Sequence, residues 1–277
     1  MFPVLFSIGS VSFKTASLLL FLSFFASSFV FWRKGREEHY DIIDLFDGFL
    51  LSALFGLVSA RATYIVLNIN NFGFDVLKWF DILDNPGSNL IVGVLVASYY
   101  LYHFAVRKKW DSFEVLDFWV TSISPGLVIY FIGLFFEGVG YGYSTNMPWG
   151  VVFPQLIDPH HPVQLYTALF YFVMYFYLST VEYKYRTFSW YRYGKKTAQT
   201  GFLVSVFLIL VAVFNFLITF LRPATFEFHS VNVDLLINIF VLIAGVLLLY
   251  HRSGRQLPLP IHRKPKAVRT KLENLSE

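Results

Sequence analysis

The sequence predicts an all-α integral membrane protein with about seven transmembrane helices, an outward-facing N-terminus and a cytoplasmic C-terminus. Of its 277 residues, 56% are hydrophobic, 20% are aromatic and only 14% are charged, whereas about 25% of the residues of a typical soluble protein are charged. Seven apolar stretches are each long enough to span a bilayer, which takes about 20 helical residues. The positions of the basic residues between these stretches support the same topology.

The seven predicted spans follow one another along most of the chain. They cover residues 12–32, 42–68, 89–106, 113–136, 162–183, 201–221 and 233–251. The second and fourth spans are long and contain polar residues, so we expect them to be tilted or partly exposed. The outward side carries a small loop region, whose main part is residues 138–161.

Basic residues concentrate at one end of the predicted bundle. Eighteen of the 22 Lys and Arg residues follow the first, third, fifth and seventh spans, and loops rich in Lys and Arg remain in the cytoplasm. This asymmetry predicts that the N-terminus faces outward. The four other basic residues are Lys14, Arg61, Lys78 and Arg222.

The chain divides into a transmembrane body, residues 1–253, and a basic tail, residues 254–277. We expect the tail to be disordered and to rest on anionic lipid headgroups, where each basic residue contributes about 1 kcal/mol. Cysteine is absent, which excludes disulfides and thiolate catalysis by this chain. The inverted internal repeat that marks many transporters is also absent from the sequence.

Two candidate catalytic residues flank an unusual loop, GVGYGYSTNMPWGVVFPQLIDPHHP over residues 138–162. Glu137 precedes it and is either a general base or a helix-end carboxylate at the membrane interface. His161 ends it, with Gln164 one turn further along the same helix face. A pair of histidines without a third ligand does not predict a metal site, and we expect neither a metal nor a cofactor.

Two arginines lie where lipid or its headgroups would be expected. Arg61 falls in the outer half of the second span, with Tyr64 three residues later on the same helix face, and Arg222 ends the sixth span. Burying a charge in a membrane costs roughly 2.5–3.5 kcal/mol. Each arginine therefore either reaches the interface with its guanidinium or binds a lipid phosphate, for which guanidinium geometry is well suited.

The order of these segments resembles that of the bacterial phosphatidylglycerol–prolipoprotein diacylglyceryl transferases. Residues 161–166, HPVQLY, are close to the family's HPSQLY, and residues 60–64, ARATY, resemble its GRLGY. Further similar segments are residues 2–9, 125–142, 148–154 and 214–223.

The resemblance covers about residues 1–250, with seven spans in the same orientation. It implies a multi-pass protein of the bacterial cytoplasmic (inner) membrane. The family transfers a diacylglyceryl group from phosphatidylglycerol to the lipobox cysteine of a prolipoprotein signal peptide, so a phospholipid and such a peptide are the expected partners. No nucleic-acid partner is expected.

The same resemblance suggests a set of site residues. Arg61 and Arg222 would bind the lipid phosphate, and Glu137 or His161 would act as the base. Five other residues would line the site: Tyr64, Gln164, Tyr166, Tyr143 and Asn215.

The sequence departs from the family at positions that the chemistry needs. The family's His-Gly-Gly corresponds to Ser-Asn-Leu at residues 88–90, and its signature arginine corresponds to Phe131. The remaining replacements, of a tyrosine, an asparagine, a glutamate and two further arginines, are Ala16, Leu134, Val139, Tyr143 and Asn215.

Three hypotheses therefore stand. The chain is a divergent but active transferase, a membrane protein of the same fold that binds lipid or a lipoprotein precursor without catalysis, or a small transporter. The joint replacement of the histidine and several arginines favours binding without catalysis over transfer, and the missing repeat disfavours transport.

Overall fold

Seven α-helices of 17 to 26 residues dominate the described part of the chain. The computed structural model describes residues 3–8, 11–80, 87–154, 156–184, 199–223, 227–228 and 231–252. In chain order, the elements are β1 (Val4–Ile8), β2 (Val11–Lys14), α1 (Thr15–Glu37), α2 (Ile42–Leu67), α3 (Ile69–Phe72), α4 (Val76–Phe80), α5 (Leu90–Arg107), α6 (Ser112–Glu137), α7 (Val163–Glu182), α8 (Phe202–Ile218), β3 (Glu227–Phe228), β4 (Val231–Asn232) and α9 (Val233–Arg252). The predicted basic tail, residues 254–277, lies outside the described residues.

Five of these helices, α1, α2, α5, α6 and α9, are long and apolar enough to cross a membrane. The apolar helix α8 has only 17 residues. Helix α7 has 20 residues, but its four tyrosines and five other polar side chains lower its hydropathy. The five are Gln164, Thr167, Ser179, Thr180 and Glu182. The predicted helical, multi-pass membrane architecture is therefore confirmed. Five of the seven predicted spans coincide with membrane-capable helices, and the crossing of all seven stays a prediction.

The start of the first helix differs from the sequence prediction. A span was expected from residue 12, but β2 continues to Lys14 and pairs with β1 in an antiparallel hairpin, so α1 begins at Thr15. Apolar and polar residues alternate along β2, VSFK, which is the two-residue period of a strand. Because this strand leads directly into an apolar helix, the two together resemble one apolar stretch, and the predicted span therefore began too early.

Helix α6 lies at the centre of the bundle, in contact with α1, α5, α7 and α8. In its membrane-crossing stretch 56% of the residues are buried, against 17% to 28% in the other four membrane-capable helices. Small residues allow its neighbour to approach, since a Cβ at Gly126 would lie 2.0 Å from Ser27 Oγ of α1. Close contact of this kind drives helix association in lipid, where the hydrophobic effect contributes little.

Polar side chains join the helices at the end of the bundle formed by the C-termini of α1, α5 and α7, here called the basic end. Lys34 of α1 forms a largely buried ion pair with Glu182 of α7. Tyr40 donates a hydrogen bond to Glu114 Oε2 at 2.5 Å. Burial, together with this carboxylate, raises the pKa of the Tyr40 hydroxyl well above its usual value. These directional contacts define the positions of the helix ends relative to one another, which apolar packing alone would not do.

Asp117 links α6 to the start of α8 at this end. Its side chain is only 2% exposed, and its two oxygens accept hydrogen bonds from the backbone N–H groups of Gly201 at 2.8 Å and Val204 at 2.9 Å. The first N–H groups of a helix have no partner within the helix. Asp117 therefore caps α8 from a neighbouring helix.

We expect Asp117→Ala to lower the free energy of unfolding by about 2–4 kcal/mol, because two buried N–H groups lose their acceptor. Equilibrium unfolding in mixed micelles measures this change. Asp47→Ala, which removes an exposed carboxylate of α2, is the matched control and should have little effect. Equal effects of the two substitutions would contradict the capping role.

Candidate functional site

The loop between α6 and α7, residues 138–162, lies at the opposite end of the bundle, here called the loop end. Helix α6 ends at Glu137 and is capped by Gly138, whose left-handed conformation (φ 80°) favours glycine. Further along, Val151 and His160 exchange two backbone hydrogen bonds of 3.0 and 2.9 Å, and Thr145 donates its N–H to the Pro159 carbonyl at 2.8 Å. The loop is therefore an ordered structure with its own backbone hydrogen bonds.

A short backbone junction connects this loop to two helix ends. The N–H of Gly142 donates to the His161 carbonyl at 2.9 Å, and the N–H of Tyr143 donates to the Leu221 carbonyl at 2.8 Å. A Cβ at residue 142 would lie 2.3 Å from the Leu221 oxygen and 2.9 Å from Val163 Cγ2, so only glycine fits. The junction brings together the start of α7, the end of α8 and the loop.

Five of the predicted site residues belong to these three segments and form what we name the loop-end cluster: Tyr143, His161, Gln164, Tyr166 and Arg222. In this cluster His161 Nδ1 lies 3.3 Å from the Tyr166 hydroxyl. Gln164 is only 2% exposed and donates from Nε2 to the Val139 carbonyl at 2.7 Å. The buried side-chain amide of Gln164 thus attaches the start of α7 to the backbone that directly follows α6.

Two buried polar atoms of the cluster have no hydrogen-bond partner within the described part of the chain. They are Gln164 Oε1, which is an acceptor, and Arg222 Nε, which is a donor. Leaving such an atom unpaired costs about 1–3 kcal/mol, and native structures contain few of them. Both atoms belong to segments that the backbone junction holds together, so they are candidate contacts for a bound molecule.

Glu137 and Asn215 lie at the edges of this region. Glu137 is half-buried as the last residue of α6, two residues before the carbonyl that holds Gln164. Asn215 is half-buried in α8, one turn before its end, and its carbonyl accepts hydrogen bonds from the Thr219 N–H and hydroxyl at 3.0 and 2.8 Å.

Arg61 and Tyr64 interact with other parts of the loop end, residues 69–80 and Gly87. The guanidinium of Arg61 donates to three backbone carbonyls: Trp79 at 3.1 Å, Gly87 at 3.0 Å and Lys78 at 3.4 Å. The ring of Tyr64 packs edge-on against Phe72 with centroids 6.0 Å apart. Arg61 therefore holds the end of α4 against the start of the α5 segment, a role that neither sequence interpretation included.

These features define the class of protein: a multi-pass membrane protein with a partly buried polar cluster at the loop end of its helices. The chain belongs to the prolipoprotein diacylglyceryl transferase family, whose sequence profile matches residues 3–251. The resemblance inferred from the motifs is thereby confirmed.

Several curated relatives carry the name phosphatidylglycerol–prolipoprotein diacylglyceryl transferase. The protein of Clostridium tetani is 23% identical over 253 residues, which cover 88% of this chain and 95% of the relative. That of Aeromonas salmonicida is 27% identical over 264 residues, covering 90% and 89%. That of a Wolbachia strain is 34% identical over a shorter 179 residues, covering 61% and 65%.

Aromatic side chains occupy positions where the family resemblance places polar catalytic groups. Phe131, at the signature arginine position, stacks on Tyr171 of α7 with centroids 5.9 Å apart and planes 13° apart. Beside it, the Tyr130 hydroxyl interacts with Ser88, at the family's histidine position, and Tyr130 is also near the Glu137 carboxylate. Sequence reasoning missed Tyr130, since a tyrosine in an aromatic-rich span carries no distinguishing signal.

We expect Arg61→Ala to increase amide hydrogen exchange in residues 76–80 and 87–92 by about tenfold or more. The reason is the loss of hydrogen bonds from a charged donor, each contributing about 1.5–3 kcal/mol. Arg61→Lys, which cannot reach three carbonyls with one ammonium, should restore only part of the protection. Hydrogen–deuterium exchange with mass spectrometry measures this, and α7 is the internal control. Unchanged exchange in both segments would contradict the bracing role.

Proposed function

We propose that this chain binds an anionic phospholipid through the loop-end cluster and does not transfer its diacylglyceryl group. The observation that carries the proposal is the pair of unpartnered buried atoms, Gln164 Oε1 and Arg222 Nε. The relatives' names include phosphatidylglycerol, whose phosphate accepts hydrogen bonds and whose glycerol hydroxyls donate them. In this arrangement Arg222 binds the phosphate and Gln164 accepts a hydrogen bond from the headgroup.

The proposed membrane placement follows from the sequence and the helices together. All seven long helices cross the bacterial cytoplasmic membrane, with the loop end outward and the basic end in the cytoplasm, as the distribution of Lys and Arg predicts. Arg222 then lies at the level of the outer-leaflet headgroups. A lipoprotein-precursor signal peptide, which also enters that leaflet, is the proposed protein partner.

The proposal of binding without catalysis rests on what diacylglyceryl transfer requires. A base must remove the proton of the acceptor thiol, and cationic groups must stabilise the departing glycerol phosphate. The positions that the resemblance assigns to the family's histidine and signature arginine hold Ser88 and Phe131. Arg61, which is retained, is engaged with backbone carbonyls. The residues present therefore support binding of the phosphate better than its displacement.

A divergent transferase is the second candidate function, favoured by one specific contact. His161 Nδ1 lies 3.3 Å from the Tyr166 hydroxyl, which would orient the imidazole as a general base, and Arg222 would stabilise the leaving phosphate. Glu137 is the alternative base.

Binding is tested with two lipids that carry the same charge. Phosphatidylglycerol has free headgroup hydroxyls, whereas phosphatidylethanol has none. Arg222→Gln should weaken binding of both by about tenfold or more, because a charge-assisted hydrogen bond to phosphate is lost. Gln164→Leu should weaken binding of phosphatidylglycerol alone. Native mass spectrometry of the purified protein measures both affinities.

Arg107→Gln, which removes an exposed arginine at the basic end, is the matched control and should leave both affinities unchanged. Thermal unfolding verifies that each variant is folded. Equal affinities for wild type and Arg222→Gln would overturn the proposed site.

Catalysis is tested with phosphatidylglycerol and a lipobox peptide, with the relative from Clostridium tetani as positive control. We expect no gain of diacylglyceryl mass on the peptide by the chain studied here. A mass gain that requires the peptide's cysteine and is lost in His161→Ala would instead establish the divergent transferase.

A further inference from the structure

A groove of about 470 Å³ lies at the N-terminal end of α1, between that helix and the β1–β2 hairpin. Phe6 and Phe13, paired across the two strands, stack with ring centroids 4.6 Å apart and planes inclined by 24°. The groove's apolar lining consists of Leu5, Phe6, Phe13, Leu18 and Phe21. The hairpin and the helix thus form an open groove with largely apolar walls.

The surface of this groove is open to the surroundings of the bundle. Leu5, Phe13 and Phe21 are 50%, 47% and 60% exposed. The same apolar flank continues along α1 through Leu22 and Phe25. Since α1 is a membrane-capable helix, lipid chains rather than water meet this flank.

The lining of the groove also has a polar part, which carries a positive charge. Lys14, at the junction of β2 and α1, shares the lining with Ser12 and Ser17, and none of the described residues of the lining is acidic. Among the described residues, Lys14 forms no ion pair. An ammonium group in a largely apolar groove is complementary to an amphiphile with an anionic head and a hydrocarbon tail.

We propose that the groove is a lipid site, in which one acyl chain of an anionic phospholipid lies between the hairpin and α1 and its phosphate binds Lys14. This inference depends on α1 crossing the membrane and is independent of the loop-end cluster. It assigns the hairpin a function, which is to shape one wall of the groove and to place Lys14 at headgroup level.

The absence of cysteine from the chain allows a direct test. A single fluorophore is attached at Leu22→Cys, just beyond the groove on the same flank of α1, or at Phe240→Cys, which replaces a 72% exposed residue of α9. Each labelled protein is reconstituted in phosphatidylcholine vesicles that contain a small fraction of phosphatidylglycerol. In separate samples, either the phosphatidylcholine or the phosphatidylglycerol has brominated acyl chains. The extent of quenching then measures how often that lipid lies beside the label.

We expect quenching of the Leu22→Cys label by brominated phosphatidylglycerol to be about fivefold stronger than the fraction of this lipid in the vesicles would produce. The reason is that one lysine near an anionic lipid contributes about 1 kcal/mol. The Phe240→Cys label should report no preference. Lys14→Gln should abolish the preference and Lys14→Arg should retain it. The matched control Lys78→Gln, which removes another loop-end lysine whose nearest acidic partner is Asp75, should leave it intact.

The same preference at both label positions, or a preference that survives Lys14→Gln, would overturn the inference. Arg222→Gln separates this site from the proposed function, because it should weaken binding at the loop-end cluster and leave quenching at Leu22→Cys unchanged.

Discussion

The loop end of the bundle depends on the backbone junction at Gly142 and Tyr143. Two N–H groups on consecutive residues donate to carbonyls at the start of α7 and the end of α8, 2.9 and 2.8 Å away. His161 is one of the two accepting residues, and Arg222 directly follows the other, Leu221. The junction therefore determines where both side chains lie. A side chain at residue 142 would separate the three segments and disperse the cluster.

The two ends of the molecule use polar groups differently. At the basic end, charged side chains are paired with each other or with helix N–H groups, as in Lys34–Glu182 and in the cap formed by Asp117. At the loop end, the cluster retains a buried donor and a buried acceptor without partners. Among the described residues, the charged side chains that join helices at the basic end are thus paired, and the proposed binding site lies at the loop end.

The sequence predicted the long helices well because membrane burial imposes one strong requirement, a continuous apolar stretch. Helix α2, Ile42–Leu67, matches the span 42–68 to within one residue, and α6, Ser112–Glu137, matches 113–136 equally well. Helices α3 and α4 and the first hairpin were missed because they are short, and short elements leave no long apolar stretch. Candidate residues such as Gln164 and Arg222 were identified as polar groups near lipid. The sequence could not predict that their segments meet, because this depends on backbone hydrogen bonds between distant parts of the chain. It also could not predict the partners of Arg61, because backbone carbonyls have no sequence signature.

The stack of Phe131 on Tyr171 has a consequence for how this chain enters its membrane. An arginine at the centre of a membrane helix opposes insertion by roughly 2.5–3.5 kcal/mol. At residue 131, in the last two turns of α6, the cost is smaller because the guanidinium can reach toward the interface, but a phenylalanine there favours insertion. The helix containing Phe131 is thus a better substrate for the insertion machinery than one with the family's arginine. Biogenesis of this chain becomes less dependent on neighbouring helices to shelter a charge, and the same replacement that weakens the case for chemistry makes the protein easier to assemble.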